Sequence, residues 1–341
     1  MAPAGGIGTL SQYSQATSGK TLGSGSFPAI AVLGPTGSGK SELGLLLAEE
    51  IGGEIVSCDS IQVFRGLDVG SAKVPVAMRR GIRHHLIDVI GAGEELTAGA
   101  YSRLARDAIA EIGRNGRIPV IVGGTGFYLR ALLDGLVPAP ARNEALRSRL
   151  ADLVRRRPGA LHRFLRRYDS KAAARIHSND HQKLIRAIEL TILTRQPVSE
   201  TQSLPRASLE GVKALKIGLM PARNLLYQKL NDRSAWMFHN GLLKETGSLL
   251  AAGLDPESKP LQSLGYKQAV RVLAGQCSLD DAILECQIRT RQYAKRQITW
   301  FRGEPGIVWL DGFGWQRAIQ EQALELSKSF LERFGNSLQT A

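Results

Sequence analysis

The sequence predicts an α/β fold, a parallel sheet flanked by helices with a basic helical subdomain inserted into it. Three observations carry that expectation. Short apolar runs alternate with helical periodicity between residues 28 and 135, a Gly-rich octapeptide separates the first run from the first helical stretch, and strand-like alternation disappears from a basic segment at 142–195.

The first run, Ala29 to Leu33, reads as a buried strand, and Glu42 to Ile51 reads as a helix with Leu43, Leu46 and Leu47 inward. Between them stand Gly34, Pro35, Thr36, Gly37, Ser38, Gly39, Lys40 and Ser41, which satisfy every fixed position of the phosphate-binding loop G-x-x-x-x-G-K-[ST]. Glycine lets several amide N–H groups converge on one concavity, and the following helix adds the positive end of its dipole. Lys40 then neutralises outer phosphates, and the Ser41 hydroxyl reaches a magnesium ion. The fold expected is therefore of the P-loop NTPase kind.

Further strands are expected near Glu54–Cys58, Leu86–Ile90 and Pro119–Val122. A break at Val137-Pro138-Ala139-Pro140 follows. The basic segment then carries apolar residues at helical spacing, such as Leu184, Ile188 and Ile192. The sheet pattern resumes at Leu215–Leu219, helices are expected from about Asn224 to Ala252 and from Asp280 to Phe301, and Ile307–Leu310 reads as one more strand. The domain plan is thus a disordered extension at 1–27, a core of 28–140 with 208–335, and a helical insertion at 141–207.

A chain of 341 residues with 43% hydrophobic content has enough apolar surface for a substantial core. No apolar run approaches the ~20 residues needed to cross a bilayer, and the first residues lack the pattern of a secretory signal. Residues 1 to 26 have no acidic side chain and one basic one, Lys20, which argues against an Arg-rich transit peptide. Cys58, Cys277 and Cys286 show neither C-x-x-C nor zinc spacing, so they read as free thiols of a reducing cytoplasm.

The net charge of +13 is unevenly spread. Residues 142 to 186 hold thirteen Arg or Lys against four Asp or Glu, and residues 289 to 302 hold five cations and no acid. Two concentrated basic regions imply a polyanionic partner larger than one small ligand. On a helical wheel Arg291, Lys295 and Arg302 form one stripe and Arg289, Tyr293, Arg296 and Trp300 another, suited either to a nucleic-acid backbone with unstacked bases or to a solvated face over a buried aromatic core.

Asp59 closes the second strand at the carboxyl edge, where open α/β sheets bind their ligands. It can take a proton from an acceptor substrate, cap the next helix, or hold magnesium. Asp88 is the other candidate for a magnesium-side acid. His84 and His85 are adjacent on a strand, so they point to opposite faces and read as structural. Gly123-Gly124-Thr125-Gly126 follows a strand, allowing backbone and the Thr125 hydroxyl to approach a ligand.

Taken together, GPTGSGKS at 34–41, DSIQVFRGLDVGSAK at 59–73, HHLIDV at 84–89, GGTGFYLRALLDGL at 123–136, RIHSNDHQKLIRAIE at 175–189, LGYKQA at 264–269 and TRQYAKRQITWFR at 290–302 resemble the tRNA dimethylallyltransferases, also called tRNA isopentenyltransferases. The strings span most of residues 28 to 302 in that family's order. The resemblance implies transfer of a dimethylallyl group from dimethylallyl diphosphate to the N6 amine of the adenine 3′-adjacent to the tRNA anticodon, with diphosphate held in the phosphate loop and no nucleoside triphosphate consumed. By the same resemblance, Mg2+ is the cofactor. Asp59 takes the amine proton, Thr125 assists, and Lys40, Arg223 and Arg233 lie near the diphosphate. Contacts with tRNA are implied for Asp59, Ser60, Ile61, Gln62, Thr125, Arg147, Gln182, Lys183, Leu184, Ile185, Arg186, Gly265, Tyr266 and Lys267.

Where the family commonly reads Asp-Pro-Gln-Arg, this chain has Asp180-His181-Gln182-Lys183. Charge is kept, but lysine lacks the bidentate fork of arginine. A zinc finger like that of eukaryotic members has no counterpart, which favours the bacterial type; a monomer is expected. The competing readings are a phosphate-loop kinase of a small acceptor, a prenyltransferase of free adenine nucleotides, and an RNA-binding protein without covalent chemistry.

Overall fold

The computed structural model describes residues 27–201 and 205–339. The disordered extension expected at 1–27 lies, except for its last residue, outside the described residues. The chain divides into two compact units, one formed by residues up to 133 with those from 209 onward, the other by 134–208.

In the first unit, six strands form one sheet, β1 Phe27–Leu33, β2 Gly53–Cys58, β3 His84–His85, β4 Ile118–Gly123, β5 Val212–Leu219 and β6 Ile307–Leu310. Their order is β3-β2-β4-β1-β5-β6, and every neighbouring pair is parallel. Ala29 to Leu33 in β1 and Val120 and Ile121 in β4 are wholly buried, which is why both read as continuous apolar runs. Helices α1 (Lys40–Glu50), α2 (Ala98–Arg114) and α3 (Gly126–Leu133) link the first strands. The Thr97 hydroxyl caps α2 by accepting the Ala100 amide at 3.1 Å.

The second unit contains α4 (Glu144–Arg156), α5 (Ala160–Tyr168), α6 (Ser170–Arg175), α7 (His181–Thr194) and α8 (Val198–Thr201) and, among the described residues, no strand. Leu150, Leu161, Leu165, Leu184 and Ile188 form its core. The chain then returns to the first unit through β5, α9 (Arg223–Met237), α10 (Leu243–Ala251), α11 (Tyr266–Leu273), α12 (Leu279–Arg302), β6 and α13 (Arg317–Gln339). The helical stretch expected over 224–252 is interrupted at Asn240 and Gly241, whose φ values are −120° and 113°.

Two apolar layers cover the sheet. One face buries Leu33 and Ile121 with Tyr101, Ile109, Leu129, Tyr266 and Phe301, and the other buries Ile30 and Val120 with Leu43, Leu47, Ile319 and Ala323.

The third strand differs from expectation. It occupies His84–His85 and not Leu86–Ile90, because Leu86 and Asp88 take φ values of 63° and 58° and turn the chain out of extended geometry. Leu86 and Ile90 are buried all the same, so their apolar character serves a packed loop.

Candidate active site

The loops after β1, β2 and β4 meet at the carboxyl edge of the sheet, around a cleft of about 360 Å³. Thr36, Lys40, Ser41, Asp59, Gly123 and Arg233 are among its walls. The phosphate loop closes over positive-φ glycines: Gly37 at 78° and Gly39 at 86°, the latter as N-cap of α1. A Cβ on Gly39 would come within 2.7 Å of Gly314 and Trp315, so both backbone and space require glycine there. Within the loop the Ser38 hydroxyl is buried with no hydrogen-bond partner, a donor suited to an anion's oxygen.

Lys40 donates to the Pro35 carbonyl at 2.7 Å. Burial drives its pKa down to about 7; the Asp59 carboxylate opposes the fall and Arg233 adds to it. Burial also lowers Arg233, against the pull of Cys286 and Asp59, and its guanidinium donates to Thr36 Oγ1 at 2.7 Å. Two desolvated basic side chains beside the phosphate loop make the cleft suited to a negatively charged ligand.

Asp59 takes the capping role expected for it, on a turn and not on a helix. Its Oδ1 accepts the amides of Ile61 at 2.8 Å and Gln62 at 3.2 Å, capping the following turn, which leaves Oδ2 for the cleft. The Thr125 hydroxyl accepts the Ser60 amide at 3.3 Å and hydrogen-bonds with Tyr293, whose hydroxyl is raised by burial and then by the charge of Asp59. The Cys58 thiol, which lies against the Thr125 carbonyl, is pushed up to about 12 mainly by burial, so it is held as the neutral thiol.

Other expected residues lie elsewhere. Asp88 binds the buried Lys73 ammonium at 2.5 Å and is not among the walls of the cleft. Arg223 is exposed, lies over the Tyr227 ring at 5.0 Å, and is not among the walls of the cleft. Tyr266 is wholly buried and donates to Glu245, whose carboxylate also holds the amides of Asp68, Val69 and Gly70. Its side chain therefore braces the 68–70 loop and offers no surface to a macromolecule; Gly265 beside it is buried too, while Lys267 is exposed. Leu184 and Ile185 are likewise core residues of the helical unit. Gln182 and Lys183 stand on its surface, and Lys183 reaches Asp180 at 2.7 Å. Arg147 and Arg186 both bind the fully buried Glu189, at 3.3 and 2.7 Å, with the Asn143 amide at 2.7 Å. Burial pushes Glu189 up, but Arg186, Asn143 and Arg147 outweigh it and hold the carboxyl below its usual range.

A family model described as IPP transferase matches residues 62–304. The chain belongs to the IPP transferase family. Among its relatives are the tRNA dimethylallyltransferase of Solibacter usitatus, 55% identical over 89% of this chain and 99% of that one, and the tRNA dimethylallyltransferase of Koribacter versatilis, 48% identical over 87% and 97%. A solved tRNA isopentenylpyrophosphate transferase from Bacillus halodurans is similar at 33% identity and TM-score 0.67, covering 92% of this chain and 98% of that one. A eukaryotic dimethylallyltransferase, solved acting on tRNA, is similar at 28% identity and TM-score 0.76, covering 90% and 80%.

In this IPP transferase two further groups at the phosphate end escape motif reading. Lys229 lines the cleft one helical turn before Arg233 on the same face of α9, and that i, i+4 spacing is the signal that could have found it. Trp315 lies past the end of the family match and reaches the cleft because the Gly314 amide bonds the Ser38 carbonyl at 2.9 Å. Among the described residues no group of three or more His, Cys, Asp or Glu could hold a metal. The Ser41 hydroxyl in the cleft wall is an oxygen donor of the kind magnesium takes, and it would be the protein's ligand to that ion. No helix among the described residues is long and apolar enough to cross a membrane.

Proposed function

We propose that this protein transfers the dimethylallyl group of dimethylallyl diphosphate to the N6 amine of the adenine 3′-adjacent to the anticodon of tRNA, releasing diphosphate. The observation that carries the reading is that Asp59 lines one cleft with Lys40, Ser41 and Arg233, in a chain of this family, while Thr125 is bonded to the Ser60 amide next to Asp59. Both ends of a prenyl transfer then have their groups.

The adenine nitrogen attacks the allylic carbon, a C–N bond forms as the C–O bond to diphosphate breaks, and the amine proton passes to Asp59 Oδ2. Capping by Ile61 and Gln62 fixes that carboxylate, so it meets the amine without reorganising. Negative charge growing on the leaving oxygen falls on Lys40, Arg233 and the loop amides, where exclusion of water strengthens each interaction. Magnesium at Ser41, when bound, neutralises further charge on the diphosphate.

The target adenine must leave its stack to reach the cleft, at a cost of about a few kcal/mol. Exposed cations of the helical unit and of α12 offset that cost through phosphate contacts. The reaction belongs to the cytoplasm, where three free thiols stay reduced, and the enzyme acts as a monomer.

Labelled dimethylallyl diphosphate incubated with unmodified tRNA should place label on one adenosine beside the anticodon. Parallel incubation with ATP should give no phosphoryl transfer. Phosphoryl transfer without prenylation would instead support the kinase reading, and labelling of free adenine nucleotides in place of tRNA would support the nucleotide prenyltransferase.

A further inference from the structure

Helix α12 carries the basic stripes, and its inner face reaches the reaction centre through Tyr293, beside Thr125, and through Gln297. Gln297 is 6% exposed. Its Oε1 accepts the Thr36 amide at 2.8 Å, and its Nε2 donates to the Gly124 carbonyl at 2.8 Å. One side-chain amide thus joins the loop that would hold the leaving group to the turn that carries Thr125. Each of its two faces is matched, acceptor to N–H and donor to C=O, and a carboxylate or an alkyl chain could not satisfy both.

The surroundings leave this bridge no slack. A Cβ at Gly124 would fall 2.4 Å from Gln297 Nε2, and one at Gly126 would fall 2.2 Å from the Trp300 ring. Thr36, held at its amide by Gln297, is held at its hydroxyl by Arg233. Thr125, next to Gly124, bonds the Ser60 amide beside Asp59. The chain of contacts Arg233, Thr36, Gln297, Gly124, Thr125, Ser60 therefore spans from the diphosphate side to the acceptor side without a gap.

We propose that Gln297 is a positioning residue that sets the separation between the prenyl donor and the acceptor amine by tying the two loops together. The inference rests on the prenyl-transfer reading. Gln297 touches neither reacting atom, so its loss should leave each substrate's binding intact and reduce the rate at which bound substrates react. Misplacement of reacting groups by about 1 Å costs on the order of 10²-fold in rate.

Two substitutions in the full-length protein test this. Gln297→Met keeps length and removes both hydrogen bonds. With both substrates saturating, its kcat should fall about 10²-fold, while the affinities for inorganic diphosphate and for tRNA stay at the wild-type values. Gln297→Glu keeps the acceptor for Thr36 but sets a carboxylate against the Gly124 carbonyl; once protonated, its O–H replaces the lost donor. Burial raises such a carboxyl, so the ratio of Gln297→Glu to wild-type kcat should rise as the pH falls from about 8 to about 6.

A second readout is independent of turnover. Inorganic diphosphate at the phosphate loop should slow amide hydrogen exchange at residues 123–126 of the wild type and should not do so in Gln297→Met. Equal kcat in wild type and Gln297→Met, or equal protection of 123–126 in both, overturns the proposal. So does a loss of kcat that merely follows a loss of diphosphate binding. Should the wild type fail to prenylate tRNA, the functional reading falls, and the exchange experiment still decides whether the bridge couples the loops.

Discussion

The two units use charge in opposite ways. In the cleft a few ionic groups are desolvated, and each perturbs its neighbours: Lys40 is driven down to about 7 by burial, and Asp59 and Arg233 act on it across the site. In the helical unit most of the thirteen cations between residues 142 and 186 lie at the surface. Among the described acids there, Glu189 is buried with its charge matched by two arginines. A charge in a low-dielectric cleft acts strongly and alone, whereas exposed charges act weakly and in numbers. The first arrangement suits a reaction step; the second suits adhesion to a polyanion.

The sharpest way to break this contrast is Asp59→Asn. The amide oxygen keeps the cap on Ile61 and Gln62, so folding should be unaffected, while kcat for transfer to tRNA should drop by about 10²–10⁴-fold without loss of diphosphate binding. Retention of turnover would show Asp59 to be a cap only.

A smaller effect follows from Lys40. Above about pH 7 its amine is neutral in the free protein, and a bound diphosphate restores the charged form. Diphosphate binding should therefore take up a proton above that pH and none from this group below it, with affinity weakening by up to about tenfold per pH unit on the alkaline side. Calorimetry in buffers of different ionisation enthalpy, compared with Lys40→Met to subtract the titration of diphosphate itself, reads the proton directly.

The smallest effect belongs to the helical unit. Lys183→Ala should weaken tRNA binding modestly and reduce the slope of log affinity against log salt by about one, with kcat unchanged. A large loss from this single exposed residue, whose side chain is 72% accessible, would mean that surface cations here act individually after all.

Much of the fold was legible because it depends on local pattern. Buried parallel strands read as apolar runs, and the loop 34–41 announces itself by its glycines and its lysine. Asp59 was legible by position, at the end of a strand. The third strand was misplaced because nothing in an apolar run reveals that Leu86 and Asp88 adopt left-handed backbone. Tyr266 was expected at a surface because its motif is associated with tRNA, whereas its ring fills the space left by Gly70. Gln297 and Trp315 escaped for a different reason: their roles depend on contacts 261 and more than 270 residues away in sequence, which no local spacing encodes.

The contact between the Gly314 amide and the Ser38 carbonyl has a bearing on biosynthesis. The phosphate loop leaves the ribosome long before its partners, since its tie to Gln297 waits for a residue 261 positions further along and its backing by Gly314 waits longer still. At ~5–20 residues per second, roughly 5–20 s separate completion of the basic helical unit from arrival of residue 314. Throughout that interval a nascent chain displays its cations beside a cell's RNA while its donor pocket is still unfinished. Adhesion matures before chemistry.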